Sequence, residues 1–154
     1  MRTAQKKTLY IPIEIKNREL FGHLQLASEA VIRGYRVILG NNPLIYEIIN
    51  KKPNNNGFLL YKGGGRYPEL ILSLSKKLNG VGILDQELGV AVRDLKDFFF
   101  RRYDPKIISS IDRFYFLGKR YLEAAKKYSD IPVSKMLITG WPRVDIWRNR
   151  KIWQ

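Results

Sequence analysis

Residues 57–84 read GFLLYKGGGRYPELILSLSKKLNGVGIL, and their order decides the fold class. The apolar runs Gly57-Phe58-Leu59-Leu60-Tyr61 and Val81-Gly82-Ile83-Leu84 are each typical of a buried strand. The helix predicted between them carries one apolar stripe: Leu70, Ile71, Leu74 and Leu78. A strand, a helix and a second strand in this order predict two parallel strands joined by a crossover helix.

The same alternation extends over the rest of the chain. Further strands are predicted over residues 7–15, 36–40, 113–117 and 135–139, and further helices over residues 19–33, 42–50 and 119–128. Residues 92–111 are predicted to be a helical region in which Asp104-Pro105 begins a second helix. One face of the first helix is predicted to be buried: Leu20, Phe21, Leu24, Ala27 and Val31. Gly34 is expected to end that helix in a left-handed cap. The pattern predicts an α/β fold, a three-layer Rossmann-like domain with a mostly parallel sheet of about six strands.

Composition limits the classes of protein to which the chain can belong. A hydrophobic fraction of 45% excludes a disordered chain, and no apolar run reaches the roughly 18 residues that a membrane span requires. The absence of cysteine excludes a disulfide framework and a thiolate metal site. His23 is the only histidine and is predicted to be a neutral or partly exposed helix residue, so neither a metal nor a cofactor is expected. A cytoplasmic protein is expected.

The formal net charge of +14 is the strongest compositional signal. It predicts attraction to polyanions, which include nucleic acids, anionic lipid headgroups and phosphorylated small molecules. Because the basic residues are spread along the chain, a charge that only keeps the protein in solution is the alternative interpretation.

Polar residues that directly follow predicted strands are the candidate ligand-binding groups, since ligands of parallel α/β sheets bind beyond the carboxyl ends of the strands. Asn17 and Arg18 follow the first strand and are predicted to meet an anionic or sugar-like ligand, with a solvated, helix-capping turn as the alternative. Lys62 and Arg66 flank three glycines after the third strand. Backbone N–H groups at such a turn can hold a phosphate, and a flexible turn without a ligand is the alternative.

Asp85 and Glu87 follow the fourth strand and are the candidate catalytic residues. Side chains at positions i and i+2 of an extended segment point to the same side, so both carboxylates are predicted to share one cleft. Such a pair can supply a general base, whereas the alternative is a solvated acidic turn.

The last predicted strand runs into Thr139-Gly140-Trp141-Pro142-Arg143-Val144-Asp145. Together with the charged turn Glu14–Glu19, the acidic turn Asp85-Gln86-Glu87 and the fifth strand, this stretch resembles the N-terminal domain of bacterial surface carbohydrate biosynthesis proteins, a GT-B-like glycosyltransferase group. In that family the fourth strand commonly ends in Asp-Glu-Glu-Gly, and the interdomain segment reads Thr-Gly-Asn-Pro-Arg-Phe-Asp. The resemblance extends over nearly the whole chain and corresponds to the first half of the family's usual length.

The resemblance implies one half of a GT-B architecture, in which a cleft separates two domains. Residues 1–140 would form the acceptor-side domain, and residues 141–154 would begin the interdomain hinge, with two exposed tryptophans and no further element. Four residues would fix that hinge: Gly140, Pro142, Arg143 and Asp145.

The implied activity is glycosyl transfer for surface polysaccharide biosynthesis at the inner face of the cytoplasmic membrane. A nucleotide-sugar donor would bind the second domain, and a glycan or lipid-linked acceptor would bind this one. The chain would be inactive without the donor-binding domain. An anionic membrane surface is a further expected partner, because it would attract a basic protein.

Two alternative functions stay open. A nucleic-acid-binding module would account for the charge and for the aromatic and basic segment Phe98–Tyr103. Nucleic acid is not the expected partner, however, because no RRM, KH, zinc-finger or helix-turn-helix signature is present. A regulatory Rossmann-like domain that binds a nucleotide or a partner chain at residues 62–66 is the second alternative.

Overall fold

The computed structural model describes residues 7–63, 67–85 and 94–148 of the chain, and these residues form strands and helices in alternation. The strands are β1 (Thr8–Ile13), β2 (Arg36–Asn41), β3 (Asn54–Tyr61), β4 (Leu78–Leu84), β5 (Arg113–Phe116) and β6 (Met136–Ile138). The helices are α1 (Lys16–Ile32), α2 (Asn42–Lys51), α3 (Pro68–Ser75), α4 (Leu95–Arg102), α5 (Pro105–Ile108), α6 (Lys119–Tyr128) and α7 (Pro142–Arg148). A 3₁₀ turn, Val133–Lys135, precedes β6.

The strands form a single parallel sheet in the order β2-β1-β3-β4-β5-β6. Crossovers between parallel strands are right-handed, which for this strand order puts α1 on one face of the sheet and α2 to α6 on the other. Helix α7 packs against α1. The predicted α/β class and the three-layer, Rossmann-like architecture are confirmed. From β1 the chain adds β2 on one side, and it then adds β3 to β6 on the other side. The topological switch point therefore lies between β1 and β3, at the carboxyl ends of these strands.

The main core lies between the sheet and helices α2 to α6. Its largest fully buried side chains include Phe99, Phe114, Phe116, Ile45, Ile49, Leu59, Ile71 and Leu74. The rings of Tyr103 and Phe114 meet edge to face with centroids 5.5 Å apart, an arrangement that aromatic quadrupoles favour. Most of the aromatic segment at α4 therefore serves packing, although Phe100 is exposed.

Local sequence fixes several helix ends as predicted. The Asn41 side chain accepts a hydrogen bond from the Leu44 N–H at 2.9 Å and so caps α2. After α1, Gly34 adopts φ +87°, and the N–H groups of Gly34 and Tyr35 donate to carbonyls of the last helical turn in a Schellman motif. The bounds predicted for residues 119–128 coincide with those of α6.

The prediction of the buried face of α1 is wrong. Phe21, Leu24 and Val31 are exposed, whereas the buried residues of the helix are Glu19, Gly22 and His23. Hydrophobic periodicity selects a face by apolarity alone. Two other contacts orient α1 instead. The buried carboxylate of Glu19 binds the backbone at the end of β1, and Gly22 lies in a close contact that a larger residue would prevent.

The prediction that no element follows the Gly-Pro turn is also wrong, because Pro142–Arg148 forms α7. Pro142 is pre-organised for a first helical turn by its fixed φ, and Gly140 at φ +75° supplies the left-handed residue that turns the chain after β6. Trp147 is exposed, as predicted. Among the described residues, no helix is both long and apolar enough to cross a membrane.

Candidate functional site

Charged side chains meet at the switch point, where β1 and β3 end beside each other. Glu14 follows β1 and forms an ion pair with Lys62, which follows β3. The Glu14 side chain is 45% exposed, whereas the Lys62 side chain is only 12% exposed. In doubly wound sheets the crevice outside such strand ends is the usual ligand site, so this pair lies where a ligand is expected.

Glu19 holds this group of charges together from the first turn of α1. Its fully buried carboxylate accepts hydrogen bonds from the backbone N–H groups of Glu14 at 2.8 Å and Ile15 at 3.3 Å. It also pairs with Arg18 at 3.0 Å and with Lys62 at 3.3 Å. Burial alone would raise the pKa of Glu19, but the two N–H groups and the two cations together lower it below its ordinary value. The carboxylate is therefore ionised at neutral pH.

His23 lies one helical turn beyond Glu19 and is buried. Burial lowers its pKa, the charge of Glu19 partly offsets that effect, and Lys62 lowers the pKa further. The imidazole is consequently neutral at pH 7, which agrees with the predicted neutral residue, although it is not partly exposed.

A second feature, the α1–α7 cleft, opens beside the switch point and has a volume of about 440 Å³. Its described lining consists of Ile15, Asn17, Arg18, Phe21, Gly22, Arg143, Ile146 and Trp147. A Cβ on Gly22 would lie 2.9 Å from the backbone nitrogen of Arg143, so only glycine lets the two helices approach this closely. The lack of a side chain at Gly22 thus allows α7 to pack closely against α1.

Arg143 is held in this cleft by two aromatic rings. Its guanidinium carbon lies 4.8 Å from the ring centroid of Trp141 and 5.0 Å from that of Trp147, which are cation–π distances. Its Nε atom is buried and has no hydrogen-bond partner among the described residues. Burial and the neighbouring charge of Arg18 lower the pKa of Arg143, and the charge of Glu19 partly offsets these effects.

Asp85, at the end of β4, is fully buried in a bidentate ion pair. Arg102 donates to its two carboxylate oxygens, from Nε at 2.6 Å and from Nη2 at 2.8 Å. The Trp141 indole N–H donates to the Asp85 backbone carbonyl at 3.0 Å. The Tyr103 hydroxyl approaches the same carboxylate at 3.5 Å, and burial together with the charge of Asp85 raises the pKa of Tyr103 well above its ordinary value. Asp85 thereby ties β4 to α4 and to the start of α7.

The structure brings together some of the predicted ligand-binding residues. Arg18 and Lys62 share the carboxylate of Glu19, and Asn17 lines the α1–α7 cleft with Arg143. Arg66 and Glu87 lie outside the described residues, so the predicted phosphate turn and the predicted carboxylate pair stay predictions.

The remaining predicted hinge residues border a larger groove of about 790 Å³. Gly140, Pro142 and Asp145 line one end of it, close to the end of the sheet where β6 stops. Its lining also includes apolar side chains of the sheet: Leu9, Phe58, Leu60, Leu84 and Tyr115.

Sequence reasoning missed the anchoring roles of Arg102 and Trp141, and it considered Glu19 only as part of a solvated, helix-capping turn. An acid in the first turn of a helix is a known signal for reaching back to free N–H groups, and it identifies Glu19 as a capping residue. No local signal links Arg102 to Asp85, because the pair spans 17 residues and depends on how α4 packs. Trp141 stands where the resembled family commonly has Asn. From this position its indole N–H donates a hydrogen bond to the Asp85 carbonyl at the end of β4.

Among the described residues, no group of three or more histidine, aspartate or glutamate side chains could hold a metal ion. Comparisons with protein families, with characterised proteins and with solved structures give no match for this chain. The candidate site therefore stands on its geometry alone.

Proposed function

We propose that this chain is the acceptor-side half of a glycosyltransferase for surface polysaccharide biosynthesis. One observation carries the proposal: α7, in the segment that the resemblance assigns to the interdomain hinge, packs on α1 beside the switch point. In a GT-B architecture the acceptor binds the first domain, in the cleft that separates it from the second. The charged side chains at the switch point support this proposal, because they lie beside the segment assigned to the hinge and suit a polar or anionic acceptor.

The described residues suggest a division of roles. Arg18 and Lys62 are fixed by Glu19 and suit polar or anionic groups of the acceptor, while Asn17 suits a hydroxyl. Asp85 is a poor general base in this conformation, because Arg102 binds both of its oxygens away from solvent. Glu14 is the better candidate for the general base among the described residues at the switch point. The Glu19 side chain is buried, whereas the Glu14 side chain is about half exposed.

A transfer assay tests the proposal. The chain is mixed with the donor-binding domain of a full-length member of the resembled family, and nucleotide release is followed with nucleotide sugars and a lipid-linked acceptor. Replacing Glu14 by glutamine is expected to lower the rate by about 10²-fold or more, the usual loss of a general base. The matched control Glu47→Gln alters an exposed ion pair on α2 and is expected to leave the rate unchanged.

An absence of transfer with every donor offered, although both domains are folded, would contradict the proposal. Equal rates for the Glu14 variant and its control would contradict only the assignment of Glu14 as the general base.

A nucleotide- or nucleic-acid-binding module is the second candidate function, and the net charge of +14 favours it. It predicts binding to single-stranded nucleic acid whose log affinity falls linearly with log salt concentration, with a slope set by the number of phosphates neutralised. Saturable binding of this kind, together with no sugar transfer, would favour the module. The same charge would also draw the protein to an anionic membrane, as the glycosyltransferase proposal requires.

A further inference from the structure

The α1–α7 cleft contains two arginines and no acidic side chain among its described lining residues. Arg18 already has a partner, because Glu19 binds it from inside the protein. Arg143 differs, since it forms no ion pair with any described residue. Two arginine side chains therefore line one small space, in which only Arg18 has a carboxylate within ion-pair distance and Arg143 is reached by the charge of Glu19 from farther away.

The position of Arg143 is built into the fold. Gly22 allows the backbone at Arg143 to approach α1 closely, and the rings of Trp141 and Trp147 stack on its guanidinium. A side chain held in this way loses little further freedom when it binds a ligand, which makes the cleft pre-organised. Because a partly desolvated cation is unfavourable without an anion, a ligand of opposite charge would stabilise this arrangement.

We propose that Arg18 and Arg143 form a binding site for a phosphate group in the α1–α7 cleft. Planar guanidinium groups present paired N–H donors that match phosphate oxygens, and two of them can bind one tetrahedral anion from different sides. The Asn17 side chain lines the same cleft and suits a hydroxyl beside the phosphate. The ligand class is thus a phosphate ester or diphosphate. Its assignment to the acceptor, as a sugar phosphate or a lipid-linked phosphate, rests on the proposed function.

Titration calorimetry with inorganic pyrophosphate at constant ionic strength tests the site. The variants Arg18→Gln and Arg143→Gln are each expected to weaken binding about tenfold or more, as expected for the loss of a charge-assisted hydrogen bond. The control Arg101→Gln makes the same change of charge on α4, where the arginine side chain is 76% exposed, and is expected to bind like the wild type. The control separates a local site from general attraction to a basic protein.

A further variant guards against misfolding. Asn17→Glu places a carboxylate in the cleft at an exposed position in the first turn of α1, where an acidic residue is compatible with the helix. It also lowers the net charge by one, and it is expected to weaken pyrophosphate binding about tenfold or more while the thermal unfolding temperature is maintained. No saturable binding by the wild type, or wild-type affinity in Asn17→Glu and in the folded arginine variants, would overturn the site.

The source of the phosphate is distinguished by a second arm with vesicles of phosphatidylcholine that contain phosphatidic acid. Weaker vesicle binding by Arg18→Gln and Arg143→Gln than by Arg101→Gln would indicate a lipid phosphate. Equal vesicle binding by all three, together with the expected loss of pyrophosphate binding, would indicate a soluble phosphate compound. Neither binding experiment uses a sugar donor. A failed transfer assay would therefore leave the phosphate site supported, and a failed binding experiment would leave the proposed glycosyl transfer untouched.

Discussion

Replacing Asp85 by asparagine tests whether this residue anchors the fold. The buried carboxylate receives two short hydrogen bonds from Arg102, and the change would substitute an amide N–H₂ for one accepting oxygen. Breaking a buried ion pair typically costs about 3–5 kcal/mol. The Arg102 side chain is 25% exposed and can gain some hydration, so we expect a loss of about 2–3 kcal/mol.

Urea unfolding followed by circular dichroism measures this loss. With a denaturant slope of about 2 kcal/mol per molar urea, the midpoint should fall by about 1–1.5 M. The control Asp97→Asn removes an exposed carboxylate that pairs with Arg101 on α4, and it should change stability by about 0.5 kcal/mol at most. If Asp85→Asn unfolds within about 0.5 kcal/mol of the wild type, the anchoring role is refuted and Asp85 returns as a catalytic candidate.

Three further perturbations test other parts of the structure. Gly22→Ala should destabilise the protein by about 1–3 kcal/mol in urea unfolding, since its Cβ would lie 2.9 Å from a backbone nitrogen of α7, whereas Gly63→Ala, with open space around it, should be nearly neutral. The pKa values of Glu19 and His23 are both lowered by folding from ordinary values of 4.5 and 6.5, so the unfolded chain binds more protons in acid. Thermal melts should therefore show stability falling as the pH drops below 6.5, and falling further below 4.5; a flat profile from pH 8 to 4 would contradict both assignments. Trp141→Phe removes the indole hydrogen bond to the end of β4 and should lower the free energy of unfolding by about 1–3 kcal/mol, a loss that an unchanged urea midpoint would exclude.

The sequence predicted the fold class well because the signals that determine it are local. The apolar runs, the start of the second helix at Asn42 and the Gly34 cap each involve residues within a few positions of one another, and the structure reproduces them. Alternation of strand and helix then restricts the chain to a parallel sheet covered on both faces. The sequence also identified Arg18 and Lys62 as residues at strand ends, which the structure brings together at the switch point.

The candidate site was less predictable because its contacts join distant parts of the chain. Asp85 was a reasonable catalytic candidate by position, but the approach of Arg102 depends on the packing of α4. Hydrophobic periodicity chose the wrong face of α1, since it takes no account of a buried carboxylate such as Glu19. The contact at Gly22 depends on α7, a helix that the resemblance had treated as a hinge.

The sequence by itself determined the alternation of strands and helices up to β6 and several of their ends, because backbone conformation follows largely from neighbouring residues. Only the tertiary structure decided which strand lies beside which, and hence that Glu14 and Lys62 meet although 48 residues separate them. It also decided that Arg143 lies between two indoles beside Arg18. Such contacts form only when whole helices and strands pack, because the packing must satisfy the burial of apolar side chains, the pairing of charges and the steric fit at the same time.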